Sequence, residues 1–218
     1  MTPDYLIFDL DGTLLETRAD IARAVNFALE AHGLPRLDPT VITGFVGDGV
    51  GRLVDRSLVA AGADPGLAPG VVQALLAFYL DHPVVDTRPY PGLEAALDAL
   101  PAVPLAVVSN KPGEICRRIL AHFGLLARFG AVLGGDWGGP RKPDPAPLRE
   151  AAARLGRPGP GGVMIGDSEV DVRAGQAAGL LTVGALYGYR SREAVLAARP
   201  SAVIASIGEL PRVLRALG

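Results

Sequence analysis

Lysine is nearly absent from this chain. Of 21 basic residues only Lys111 and Lys142 are lysine, and the rest are arginine. That bias fits a GC-rich coding sequence. A surviving lysine is then either a chance survivor or a place where a compact ammonium does what a planar guanidinium does not. Cysteine occurs once, as Cys116. No intramolecular disulfide is available, which suits a reducing cytoplasm, and the thiol sits in an apolar helical segment that reads as core. The three histidines, His32, His82 and His122, lie on helical segments without a partner at ligand spacing, so no histidine metal site is expected. Missing too is any apolar run near the roughly 18 residues of a membrane span. Met1-Thr2-Pro3-Asp4 puts no basic segment before an apolar stretch, so no secretory signal is read. A net charge of −2 gives no field for nucleic acid or a membrane surface. The expectation is a cytoplasmic protein, a monomer or homodimer, with no nucleic-acid or membrane partner. Local charges and a metal would have to attract any small anionic ligand.

What is present is ordinary globular composition. The 218 residues are 49% hydrophobic and 20% charged, enough for one large domain or a domain with a smaller insert. Tyr5-Leu6-Ile7-Phe8 is a continuous apolar run that ends in Asp9-Leu10-Asp11-Gly12 and reads as a buried parallel strand. Leu105 to Val108 stops at Ser109-Asn110, Ala131 to Leu133 at Gly134-Gly135-Asp136, and Val163 to Ile165 at Gly166-Asp167-Ser168. Weaker strands are read at Leu181 to Val183 and Ala202 to Ile204. Between them lie helical patterns at Glu114 to Phe123, Pro147 to Leu155, Val170 to Ala178 and Ile207 to Leu217. This alternation predicts an α/β fold, a Rossmann-like parallel sheet core with helices on both faces. Residues 17–86 break the rhythm with helical patterns alone, at Ala19 to Ala31, Thr40 to Ala61 and Gly70 to His82. They are expected to form an inserted all-helical cap domain, with 1–16 and 87–218 as the core and hinges at its two ends.

Ligands of open α/β sheets bind outside the carboxyl ends of the strands. Asp9, Asp11, Ser109, Asn110 and Asp167 all fall there. Asp9 and Asp11 are two apart, on one side of an extended segment. Two carboxylates that close repel unless one is protonated or a cation sits between them. Asp11-Gly12 also reads as a turn, but a turn leaves Asp9 unexplained. Asp167 and Asp171 are four apart at a helix start. That spacing fits N-terminal capping as well as a pair of oxygen ligands for magnesium. Lys142, between Arg141 and Pro143, is either a solvated lysine or a positive charge for a phosphoryl group. Ser109 and Asn110 either cap a helix or bind phosphate oxygens.

Asp9-Leu10-Asp11-Gly12-Thr13-Leu14, Ser109, Lys142-Pro143 and Gly166-Asp167-Ser168-Glu169-Val170-Asp171 resemble, in order, the four motifs of the haloacid dehalogenase superfamily. The helical insert resembles that superfamily's small helical cap. The resemblance implies that Asp9 is a nucleophile, and that Asp11 protonates the leaving oxygen and then activates water. It places Mg2+ on Asp9, the Asp11 backbone carbonyl, Asp167 and Asp171. It assigns phosphoryl binding to Ser109 and Lys142, with Thr13 and Asn110 beside them.

Phe45 to Leu53 in the insert, Ser109-Asn110-Lys111-Pro112 and Gly166-Asp167-Ser168 look most like phosphoglycolate phosphatases. The implied substrate is a small phosphorylated metabolite, 2-phosphoglycolate first. Arg52 and Lys111 are expected to touch it, although Asp48 in the same glycine-rich loop repels an anion. The competing readings are a phosphatase for another metabolite, a sugar phosphomutase, and a non-catalytic binding module. Dehalogenation is disfavoured, because Asp11, Asp167 and Asp171 are all present. Trp137 has no readable role.

Overall fold

The structure, a computed structural model, describes residues 3–217. Strand β1 (Tyr5–Phe8) is followed by the two-residue strand β2 (Leu15–Glu16). Four helices come next: α1 (Arg18–Ala31), α2 (Pro39–Phe45), α3 (Val50–Ala60) and α4 (Ala68–Asp81). The chain returns through β3 (Arg88–Pro89) and α5 (Leu93–Asp98). It then alternates as β4 (Leu105–Val108), α6 (Gly113–His122), β5 (Ala131–Leu133), α7 (Ala146–Arg154) and β6 (Gly162–Gly166). It ends with α8 (Glu169–Ala178), β7 (Leu181–Ala185), α9 (Arg192–Ala197), β8 (Ala202–Ile204) and α10 (Leu210–Leu217). This is the expected α/β fold with an inserted helical cap.

Six strands form one sheet in the order β5-β4-β1-β6-β7-β8, all parallel. The chain winds outward from β1 through β4 to β5, then crosses back to β6 on the other side of β1. The carboxyl end of β1 is therefore the place where winding reverses, where ligands of such sheets bind. Alternation along β1 divides its side chains between two apolar layers. Tyr5 and Ile7 pack with Leu148, Ala151 and Ala152 of α7. Leu6 and Phe8 pack with Ile115, Ile119 and Leu120 of α6 and with the cap residues Val25, Leu75 and Tyr79. Ile115, Ile119 and Leu120 are buried, each contributing about 2 kcal/mol by the area it removes from water. Cys116 is buried among them.

Two local patterns gain detail. The helical stretch from Thr40 to Ala61 is two helices, α2 and α3, with the glycine-rich loop of Phe45 to Leu53 at their junction. Gly47 and Gly49 between them hold φ values of 125° and 89°, which a helix does not accommodate and which glycine adopts without a Cβ clash. Pro39 starts α2, and Asp38 caps it by accepting from Thr40 N at 2.7 Å. The segment Ile207 to Leu217 is a 3₁₀ turn followed by α10. No described helix is long and apolar enough to cross a membrane.

The chain leaves and re-enters the sheet domain side by side. β2 and β3 pair antiparallel, with Glu16 opposite Arg88. Behind this pair Asp20, in the first turn of α1, is buried. Its carboxylate accepts from the backbone N–H of Val85 (2.9 Å), Asp86 (3.0 Å) and Thr87 (2.8 Å), and from the Thr87 hydroxyl (2.7 Å). Burial disfavours its charge, but these donors outweigh that and hold its pKa below the ordinary value. Asp20→Ala leaves the donors unanswered and is expected to cost about 3 kcal/mol in urea unfolding. Asp20→Asn, which keeps one acceptor oxygen, is expected to cost less. The wild-type contribution is present above the unfolded carboxylate's pKa of about 4 and is lost as pH falls through the lower folded value.

Candidate active site

Phe8 of β1 pairs with Ile165 of β6, and Asp9 N donates to the Ile165 carbonyl at 2.9 Å. Asp9 therefore stands beside Gly166-Asp167. Two glycines let backbone approach that acid. At Gly12, whose φ is +81°, a Cβ would come within 2.3 Å of Asp167 Oδ2, and at Gly188 within 2.2 Å of Asp167 Cβ. Asp171 lies one turn into α8. Oxygens of Asp9, Asp167 and Asp171 lie within 4.8 Å of one another. Both sequence readings of Asp171 hold at once. Its Oδ2 accepts from Ser168 Oγ (2.6 Å) and Ser168 N (3.1 Å) as part of a capping box. Its Oδ1 accepts from Lys142 Nζ at 2.7 Å.

Lys142 is buried and donates as well to Asp9 Oδ1 at 2.9 Å. Burial works against its ammonium, but Asp171 and Asp9 override that and raise its pKa. Burial pushes Asp9 up to about 6; Lys142 opposes this, while Asp171 and Asp11 add to it. Asp167 is held well above its ordinary value by burial, then by Asp171 and Asp9, and it accepts from Tyr189 N at 2.6 Å. Three acids share one ammonium, so two negative charges stay uncompensated when all are ionised. A buried set of oxygen donors with that imbalance fits a divalent cation.

The Asp11 carboxylate stands outside this group. Extended geometry does not continue from Asp9, because the chain turns at Leu10, whose carbonyl accepts from Leu14 N at 3.0 Å and Leu15 N at 3.1 Å. Asp11 Oδ1 instead accepts from Thr17 Oγ1 at 2.5 Å and lies 3.1 Å from Lys111 Nζ. Asp9 and Asp11 still line one cavity. The motif thus presents two carboxylates in different surroundings, one beside the other acids and one between a hydroxyl and an ammonium.

Ser109, Asn110 and Lys111 follow β4 and line the same cavity. Ser109 Oγ accepts from Lys111 N at 3.3 Å. Asn110 spends its amide on the carbonyls of Gly47 (2.9 Å) and Lys142 (3.0 Å), tying the cap loop to the lysine loop. Two expected residues do not reach the cavity lining. Thr13 is buried with its hydroxyl unpartnered, and its carbonyl accepts from Tyr187 OH at 2.9 Å. Arg52 is exposed on α3, whose next residue, Leu53, faces the cavity instead. Asp48 does not oppose an anion there as expected, because it pairs with Arg56 at 2.5 Å. Trp137 donates to the Pro140 carbonyl at 2.8 Å, closing its own loop.

Sequence reasoning did not find Tyr79, Tyr189 or Arg190, which also line the cavity. Tyr189 OH accepts from Thr17 N at 2.6 Å and lies 2.9 Å from Thr17 Oγ1. Arg190 donates to the Val46 carbonyl at 2.9 Å. Tyr187-Gly188-Tyr189-Arg190, directly after the β7 run, was the available signal, because it too leaves the carboxyl end of a strand.

The family described as haloacid dehalogenase-like hydrolase matches residues 6–185. A phosphoglycolate phosphatase of Neisseria meningitidis is 40% identical over 211 residues, covering 93% of this chain and 90% of its own length. A phosphoglycolate phosphatase of Cereibacter sphaeroides is 43% identical over 189 residues, covering 85% of this chain and 86% of its own. A crystal structure from Haemophilus somnus, described as a predicted phosphoglycolate phosphatase, superposes with a TM-score of 0.89 at 28% identity, covering 98% of each chain. The chain belongs to the haloacid dehalogenase-like hydrolase family and is similar to its phosphoglycolate phosphatases over nearly its whole length.

Proposed function

We propose that this protein is a magnesium-dependent phosphatase that hydrolyses a small phosphate monoester, 2-phosphoglycolate first, through a phospho-aspartate on Asp9. The observation that carries the reading is the placing of Lys142 between Asp9 and Asp171, with Asp11 held apart by Thr17 and Lys111. A nucleophile must be ionised, and Lys142 favours the Asp9 carboxylate against the burial that opposes it. With Oδ1 hydrogen-bonded to Lys142, Oδ2 is the oxygen left to attack phosphorus. Its bond to phosphorus forms as the ester P–O bond breaks. Asp11 donates its proton to the leaving oxygen and later takes one from the water that attacks the phospho-aspartate, releasing phosphate. Ser109 and Lys142 hold the transferring oxygens. Asp9, Asp167 and Asp171, with the Asp11 backbone carbonyl, would hold Mg2+. When bound, the ion supplies positive charge to the transferring oxygens.

Residues 17–86 act as a cap over a core of 1–16 and 87–218, and closure keeps stray water from the phospho-enzyme. Contacts across that seam include an Arg118 hydrogen bond to the Leu80 carbonyl at 2.9 Å and three at the cavity. Asn110 reaches Gly47, Arg190 reaches Val46, and Lys111 Nζ donates to Tyr79 OH at 3.0 Å.

Asp9→Asn is expected to lower phosphate release from 2-phosphoglycolate by at least about 1,000-fold with the melting temperature preserved. Comparable turnover by this variant in a phosphate-release assay refutes the covalent mechanism. In the wild type, Mg2+ is expected to raise the melting temperature at pH 7.5, because it relieves the repulsion among ionised acids. The rise should shrink as pH falls through about 6, where Asp9 takes up a proton and the ion loses a charged ligand. A metal-induced shift independent of pH between 7.5 and 5 contradicts the assignment of Asp9 as a ligand.

A further inference from the structure

The walls of the cavity differ in kind. Ile21, Val50, Leu53, Leu75 and Leu76 make the cap side apolar. Among the described cap residues that line the cavity, Tyr79 alone has a polar side chain, and it is buried. It faces Lys111 of the core, also buried, whose ammonium lies 4.5 Å from the Tyr79 ring centre and donates to its hydroxyl.

The donors at this point exceed the acceptors. An ammonium has three N–H groups. Lys111 directs its charge at Asp11 Oδ1 and Tyr79 OH, which leaves one N–H. The Tyr79 hydroxyl accepts from Lys111, and its own proton has no acceptor among the described residues. Burial, with Asp11 nearby, pushes the phenol up to about 12 despite the ammonium beside it, so it stays a donor at neutral pH. Two free donors, one of them on a cation, therefore converge where the apolar cap wall meets the core, next to Asp11. An acceptor group carrying negative charge is what such a place binds.

We infer that Tyr79, together with Lys111, forms the receptor for the carboxylate of the leaving group. The inference rests on the phosphatase reading above, since Asp11 marks where the leaving oxygen stands. Lys111 Nζ lies 3.1 Å from Asp11 Oδ1, so a carboxylate one carbon from that oxygen would stand beside the Lys111–Tyr79 pair, whereas the hydroxyls of a sugar find no further side-chain partner on the cap wall. Of the other cations on the wall, Lys142 is held by Asp9 and Asp171, and Arg190 is held by the Val46 carbonyl and lies 3.9 Å from Glu169.

Because Lys111 also touches Asp11, the discriminating variant is Tyr79→Phe, which keeps the ring and removes one donor. The substrates are 2-phosphoglycolate and its neutral amide, phosphoglycolamide. Wild-type enzyme is expected to favour the carboxylate in kcat/KM, and Tyr79→Phe to reduce that preference about tenfold, chiefly through KM, as loss of one hydrogen bond to a charged group. An equal fall for both substrates would reduce Tyr79 to a structural role, and an unchanged preference would place the carboxylate elsewhere, as at Arg190; either result overturns the inference. Calorimetric Kd values for the same two compounds read the receptor without turnover. A binding preference that depends on Tyr79 in a protein that releases no phosphate would sink the phosphatase reading and leave the receptor standing.

Discussion

Three carboxylates packed within 4.8 Å around a single ammonium set the terms for the rest of this molecule. Like charges at such distances repel strongly, and burial deepens the penalty. The fold holds them because each is fixed by backbone that has little freedom. Asp9 is locked by the pairing of β1 with β6, Asp171 by its capping box, and Asp167 by Tyr189 N and two glycines. Lys142 relieves part of the repulsion and leaves the remainder as an affinity for positive charge. Electrostatic strain is thus concentrated at one end of the sheet, and on the proposed function it is what would draw in a cation and then a phosphoryl group.

The same logic explains the different surroundings of Asp9 and Asp11. Had Asp11 followed the extended course of β1, a fourth acid would have joined the cluster. The turn at Leu10 removes it and places it against Thr17, at the junction of β2 with the cap. Thr17 also meets Tyr189, whose backbone holds Asp167. Where the cap joins the core is therefore bonded to both halves of the site, and Asp20 binds the returning strand to the same helix.

Much of this was legible because strand ends are legible. A run such as Tyr5 to Phe8 stops abruptly, and the acid after it lies at the carboxyl edge of a parallel sheet wherever the helices fall. Asp9, Ser109 and Asp167 were read that way, and Lys142 was picked out by the scarcity of lysine and its loop, with the motif resemblance assigning it a role. The glycine-rich turn at Gly47 and Gly49 was legible from its composition, but the ends of α2 and α3 were not, because its flanks keep helical spacing. Arg52 lies outside the cavity lining; a loop motif does not say which side of the next helix turns inward. Tyr79 was invisible because its position on α4 reads as core, and it is core, apart from one oxygen. The contact between Tyr189 and Thr17 joins residues 172 positions apart, a distance over which local pattern carries no information.

Both lysines of this chain are buried in the same cavity, and every other basic side chain is arginine. For an amine-reactive label the folded protein accordingly offers side-chain targets only inside the site. Both ammonium groups are held protonated by neighbouring acids, which suppresses their nucleophilicity. Acylation has to wait until the seam between cap and core opens and those acids let go. A scarcity of lysine that began as a matter of composition makes the rate of modification a clock for the opening of the chamber.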